Sequence, residues 1–369
     1  CDFHGFTDVG SGRKRLEEKQ KGAFGFGFTA VYQITDHPEV ISSKRHWILE
    51  DEKPEDQRIF ECGGCERCRA PGLPGTRFVL PWAFDRNSPV REALKVAPVP
   101  PDGPRKFLQE LLEDLPHTLL FLDHIRTIQV YWKDQLQLSV SRIVDAAHPH
   151  AVTIVQNETT TRWMILSAEF EKQAGRLRAT HPPGEKKPIS TVKIAIPYEV
   201  TNVGLFFAFL PTQQITGFPF HINADFFPTN DRKRLLLESD YQAEWNRAAI
   251  QTAAVALEDG LLELRSFLGP KGFWQLLDCV HRLSAGTTIE ATPQCRGFWA
   301  QLVPVLKSAA VVPTANGTWL EASKVYHLSQ IPDDHTADLY RALGIQTVTS
   351  EVNDFRILLT SESVGVRDL

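Results

Sequence analysis

The stretch Gly22-Ala23-Phe24-Gly25-Phe26-Gly27-Phe28 constrains this chain more than any other. Its glycines let the backbone bend tightly and present successive N–H groups with no Cβ in the way. The apolar run Thr29-Ala30-Val31-Tyr32-Gln33-Ile34 follows. Phe28, Val31 and Tyr32 share one face at helical spacing, so the periodicity predicts a helix. Asp36-His37-Pro38 ends it, because a proline drives the preceding residue out of the α region. A glycine turn feeding a helix N-terminus suits phosphate, favoured both by free N–H groups and by the helix dipole. The plainer reading is a tight connection between packed elements. The residues around the turn decide between them.

Composition bounds that reading. With 369 residues, 42% of them hydrophobic and 23% charged, the chain has the makeup of a soluble globular protein of two or three domains. A formal net charge of -5 argues against bulk electrostatic binding to nucleic acid. The sequence has no apolar run of the roughly twenty residues that a membrane-spanning helix needs, nor a charged-then-apolar leader. It opens on Cys1, inside a motif-bearing region, and is expected to be a fragment of a longer cytoplasmic protein.

Cys62, Cys65 and Cys68 cluster while Cys1, Cys279 and Cys295 are scattered, which is no disulfide framework. The cluster has the C-x-x-C step of metal sites. A structural zinc takes four ligands, so a remote cysteine or His46 would have to complete the set. A reduced surface loop between strands is the preferred reading, and no metal is assigned.

The order of elements follows from local pattern. Val40-Ile41-Ser42, Trp47-Ile48-Leu49, Arg58-Ile59-Phe60 and Arg77-Phe78-Val79-Leu80 read as short strands. A helix laid on such a sheet makes a two-layer α/β arrangement. Proline-rich 97–104 marks a boundary. An amphipathic helix is expected over 106–115, then strands over 127–132, 136–140, 151–155, 163–167 and 192–196, rich in β-branched and aromatic residues. The charged excursion ending in His181-Pro182-Pro183-Gly184-Glu185-Lys186-Lys187-Pro188 is expected to be a surface loop. Strands over 205–210 and 220–223 complete an α+β middle region, where His221 reads as a satisfied core residue. From Tyr241 the pattern is helical, with Gly269-Pro270 as a stop and Asn316-Gly317 as a hairpin signal. The expected domains are 1–97, 105–240 and 241–369.

The string GxFGxGFxxxY, carried by Gly22, Phe24, Gly25, Gly27, Phe28 and Tyr32 and followed by Thr35-Asp36-His37-Pro38, resembles the second glycine box of the GHKL ATPases. Within that superfamily it is most similar to sacsin-type chaperone repeats. Gly10-Ser11-Gly12-Arg13-Lys14 looks like the element that begins the nucleotide lid. Gly75-Thr76 looks like the start of the strand whose threonine lies beneath adenine. Residues 218–227 and Asn230-Asp231-Arg232-Lys233-Arg234 resemble the sacsin segment that follows the nucleotide domain. The likeness is specific near 1–85 and 217–250, diffuse between them, and faint after about residue 260.

The resemblance implies an α+β protein: an incomplete Bergerat-type two-layer α/β sandwich, an α+β middle domain and a mainly helical C-terminal region with a hairpin. It implies ATP and Mg2+ as cofactors, with Gly22, Phe24, Gly25, Phe26, Gly27, Phe28 and Thr76 around the nucleotide. Lys14 and Lys21 of the lid would meet the terminal phosphates, and Arg232 would act as the catalytic arginine there. The plainer reading of Thr76 is an ordinary strand residue, and of Arg232 a solvated basic turn.

Protein clients or assembly partners, and a homodimer through nucleotide-driven closure, follow from the same resemblance. The family's water-activating glutamate and magnesium-binding asparagine belong upstream of the glycine turn, and the residues before Gly22 do not read as that helix. Asp8-Val9-Gly10-Ser11-Gly12 matches the family's adenine-reading D-x-G-x-G box but stands too near Gly22 to serve. The expected function is an ATP-binding, ATP-hydrolysing conformational switch. Its alternatives are a non-catalytic interaction scaffold and an ATPase component of a bacterial defence system.

Overall fold

The computed structural model describes residues 27–42, 45–69, 75–181, 187–200, 203–238, 240–284, 293–329 and 334–369. Helices and sheets mix in an α+β fold, as the sequence predicts. The chain divides into two compact units, Cys1–Glu113 and Asp114–Leu369.

In the first unit the stretch after the glycine run is a 3-10 helix of 7 residues, Gly27–Gln33, where the spacing predicts an α-helix. Phe28, Val31 and Tyr32 have poor helix propensity, and so short a run does not offset the cost of α-helix nucleation. Four strands follow: β1 (Glu39–Ser42), β2 (Arg45–Leu49), β3 (Ile59–Glu61) and β4 (Thr76–Val79). They form an antiparallel sheet in the order β3-β2-β1-β4. The short helix α1 (Glu66–Arg69) lies between β3 and β4 in sequence. Helix α2 (Pro89–Leu94) starts on the Ser88 cap with proline in its first turn and stops at Lys95 in the left-handed region. Helix α3 (Gly103–Thr118) then carries the chain across the division.

The second unit is built on an eight-stranded sheet. Its strands are β5 (Thr127–Trp132), β6 (Gln135–Val144), β7 (Ala151–Gln156), β8 (Thr159–Glu169), β9 (Thr191–Pro197), β10 (Leu205–Ala208), β11 (Leu210–Ile215) and β12 (His221–Asn223). They run in the order β11-β10-β12-β9-β8-β7-β6-β5, antiparallel except for the β10–β12 pair. The period-two alternation divides the side chains cleanly. Met164, Leu166, Ile194, Ile196, Phe206 and Ile222 enter the main core. Trp163, Phe207 and His221 meet His117 and Phe121 instead.

Helix α4 (Glu171–Thr180) occupies part of the excursion expected to be a loop. Lys187 corrects that expectation further: it is buried, with Nζ 2.6 Å from Asp225 Oδ1 and 2.8 Å from the Phe226 carbonyl. A lysine reads as surface until its acidic partner, distant in sequence, is known. Burial pushes the Asp225 carboxyl up, against the opposing pull of Lys187.

Helix α5 (Tyr241–Asp259), capped by Asp240, packs on β8 and β9, with Trp245 and Leu257 fully buried. Helix α6 (Leu261–Ser284) breaks at Gly269, where φ is 68°, before Pro270 restarts it. Helix α7 (Phe298–Ser308) and the hairpin of β13 (Ala310–Pro313) and β14 (Trp319–Glu321) follow, with Gly317 at φ 81° in the turn. One apolar core takes in sheet and helices together, from Met164 to Val366. Residues on both sides of position 240 belong to it.

Candidate functional site

Gly22, Phe24, Gly25 and Phe26, with Lys14 and Lys21 of the expected lid, lie outside the described residues. Gly27 begins the 3-10 helix, and the structure shows how the rest of the motif anchors it. Phe28 sets its ring 5.8 Å from that of Phe78 on β4. Phe78 and Thr76 stand two residues apart on the same strand, hence on one face of it. Two sequence-predicted pieces, the end of the glycine run and the threonine strand, therefore meet in the first unit. Thr76 is exposed on this edge strand, its Oγ1 2.9 Å from Ser42 Oγ across the β1–β4 pair. Phe78 keeps 51% of its surface exposed, an unusual degree for phenylalanine.

Tyr32, one turn on, donates its phenol to the Asp51 carboxylate; burial first, and that acceptor second, raise its pKa. Asp36, four residues further, is buried against Arg91, with Arg91 Nε 2.7 Å from Asp36 Oδ1. The contact is ionic, since the N–H does not point along the line to the oxygen. Arg91 Nη1 also donates to the carbonyls of Gln33 at 3.1 Å and Ala97 at 3.4 Å. A cation thus sits on the carbonyl end of the helix, where it meets a carbonyl that the helix itself leaves unpaired. The Ala83 amide closes the same end by donating to Ile34 O at 2.9 Å. Arg91 was missed by the sequence reading. Its only signal is a charged residue inside the short run after the Ser88-Pro89 cap.

Arg232 belongs to the second unit, in the turn between Pro228 and Leu235. Its backbone is left-handed, with φ 57°, and its guanidinium donates to the Ala208 carbonyl at 2.9 Å. His221 is the satisfied core residue expected from sequence: its Nδ1 accepts from the Leu205 amide at 2.9 Å and its ring stacks 5.3 Å from Trp163. Burial, and then the neighbouring His117, lower its pKa to about 3.

The cysteine loop gains a member that spacing alone left open. His46, Cys62 and Cys65 place their ligand atoms within 4.8 Å of one another. His46 is buried in β2, and the Cys62 amide donates to its carbonyl at 2.8 Å. The Cys68 side chain lies outside the described residues. No helix among the described residues is long and apolar enough to cross a membrane.

Residues 1–58, which hold the glycine run, the 3-10 helix and β1 and β2, match the family model described as a Sacsin domain. Human sacsin is 23% identical over 321 residues, covering 69% of this chain and 7% of that protein. The chain therefore spans a small fraction of the length of this relative. On these two findings its sequence is sacsin-like.

Proposed function

We propose that the chain serves a sacsin-type conformational switch whose first unit binds ATP with Mg2+ at the glycine run. The observation that carries this reading is the Sacsin-domain match, which covers residues 1–58 and so the whole run from Gly22 to Phe28. The meeting of Phe28 with the Thr76 strand supports it, because nucleotide and threonine would share one face. Main-chain N–H groups of Gly22, Gly25 and Gly27 would hold the phosphates, with Phe24, Phe26 and Phe28 packing around them. A 3-10 helix of 7 residues adds little dipole, so the affinity rests on those N–H groups.

Arg232 is assigned, as the resemblance implies, to the terminal phosphate, for which it would give up its present carbonyl partner Ala208. It would then stabilise charge that develops during transfer. No residue of this chain is assigned to magnesium or to the activation of water. The switch would act on protein clients or assembly partners in the cytoplasm, with nucleotide-driven closure pairing two copies.

Calorimetric titration of ATP with magnesium onto the protein and onto Gly25→Val tests the reading. A micromolar-class Kd, about -8 kcal/mol, is expected for the natural chain. The branched Cβ should abolish it by blocking the amides. Equal binding by both proteins, or none by the natural chain, defeats the nucleotide site and leaves the scaffold reading. Arg232→Ala should lower hydrolysis and spare binding.

A further inference from the structure

We infer that His46, Cys62 and Cys65 form a structural zinc site that pins the cysteine loop to the sheet of the first unit. The inference is independent of the nucleotide reading. Three ligands of the types zinc prefers come from separate places: the second residue of β2, the residue after β3, and the residue before α1. Their ligand atoms converge within 4.8 Å. His46 Nδ1 lies 3.5 Å from Cys65 Sγ. In a tetrahedral site with usual bond lengths the nitrogen–sulfur edge is about 3.6 Å.

The histidine is held as a ligand would be. Its Nε2 meets Glu39 Oε2 at 2.9 Å, and Arg67 Nη1 grips both Glu39 oxygens at 2.8 Å. An Nε2–H donated to that carboxylate leaves the Nδ1 lone pair facing the sulfur. This carboxylate–histidine arrangement is the usual support of zinc-bound imidazole. Between Cys62 and Cys65 the chain turns through Gly63-Gly64, with Gly64 at φ 108°, a turn only glycine makes without strain. Cys62 and Cys65 are thiols, not a disulfide. A tetrahedral zinc needs a fourth ligand, and Cys68, three residues beyond Cys65 in the sequence, is of the right type to supply it.

The first unit also needs such a staple. Among its described residues the buried apolar side chains are Val40, Leu49, Ala83 and Val90 with Pro38 and Pro104, a small core for a four-stranded sheet. Binding would release the thiol protons and join β2, β3 and α1 through one ion.

Elemental analysis of the purified protein should find about one zinc per chain. Replacing zinc with Co2+ should give thiolate charge-transfer absorption and the visible bands of a tetrahedral ion. Cys62→Ser, Cys65→Ser and His46→Ala should each lower metal content to background, and Cys279→Ser should leave it unchanged. Protein without zinc after expression in zinc-supplemented medium, and without a tetrahedral spectrum on adding Co2+ under reducing conditions, overturns the assignment. So does full zinc retention in Cys62→Ser and His46→Ala. Should the variants fail to fold, the metal content and cobalt spectrum of the natural chain decide the matter alone.

Discussion

Replacing Asp36 by alanine strands the charge of Arg91 in a place that water does not reach. The two side chains are 6% and 2% exposed. Removing one partner of a buried ion pair costs about 3–5 kcal/mol, because the other charge stays desolvated. Arg91 keeps the Gln33 and Ala97 carbonyls, so the lower end, about 3 kcal/mol, applies here. Amide hydrogen exchange reads this directly. The Ala83 and Leu49 amides, bonded to Ile34 O and Pro38 O, report the junction between the 3-10 helix and the sheet. At about 1.4 kcal/mol per factor of ten, their protection should fall about a hundredfold. The decisive comparison is the double variant Asp36→Leu with Arg91→Met. Removing both charges relieves the desolvated cation and leaves two unmet carbonyls, at about 1 kcal/mol each. The double variant should therefore be more stable than Asp36→Ala. If it is equally or less protected, the argument from a stranded charge is wrong.

Two further outcomes follow from the second unit. His221 has a folded pKa of about 3 against an ordinary 6.5, so between those values the unfolded chain binds the extra proton and stability falls as pH falls. The loss is about 1.4 kcal/mol per pH unit in that window, and urea midpoints should be flatter there for His221→Asn, whose amide oxygen can still accept from Leu205; an unchanged acid limb would contradict this. Gly204→Ala would place its Cβ 1.7 Å from the Phe220 carbonyl oxygen, displacing backbone that bonds to Phe218 and Thr216. A loss of about 3 kcal/mol is expected, and an unshifted denaturation midpoint would refute the clash.

What could be read in advance was local. Val192, Ile194 and Ile196 alternate with smaller or polar neighbours and form a strand where the pattern places one. Gly269-Pro270 breaks its helix because both residues oppose α geometry on their own. The misses concern partners far along the chain. Arg91 answers Asp36 and Asp225 answers Lys187, neither of which periodicity can pair, whereas His46 was one of the completions that spacing left open for the cysteine loop, and the fold selects it. Gly260 shows the same limit. It interrupts the helical run because a Cβ there would lie 2.2 Å from Leu166 in β8, a neighbour known only after folding. In the first unit the run from Phe28 and the Thr76 strand were legible, and Arg91, which holds the end of that run, was not.

The shared interior of the second unit has a mechanical meaning. With strands β8 and β9 and helices α5 to α7 locked into a single filling of side chains, the described residues offer no internal seam for bending. A push delivered at Arg232 or at the β10–β11 corner would be borne by the whole block, which would travel as a lever rather than yield like a spring.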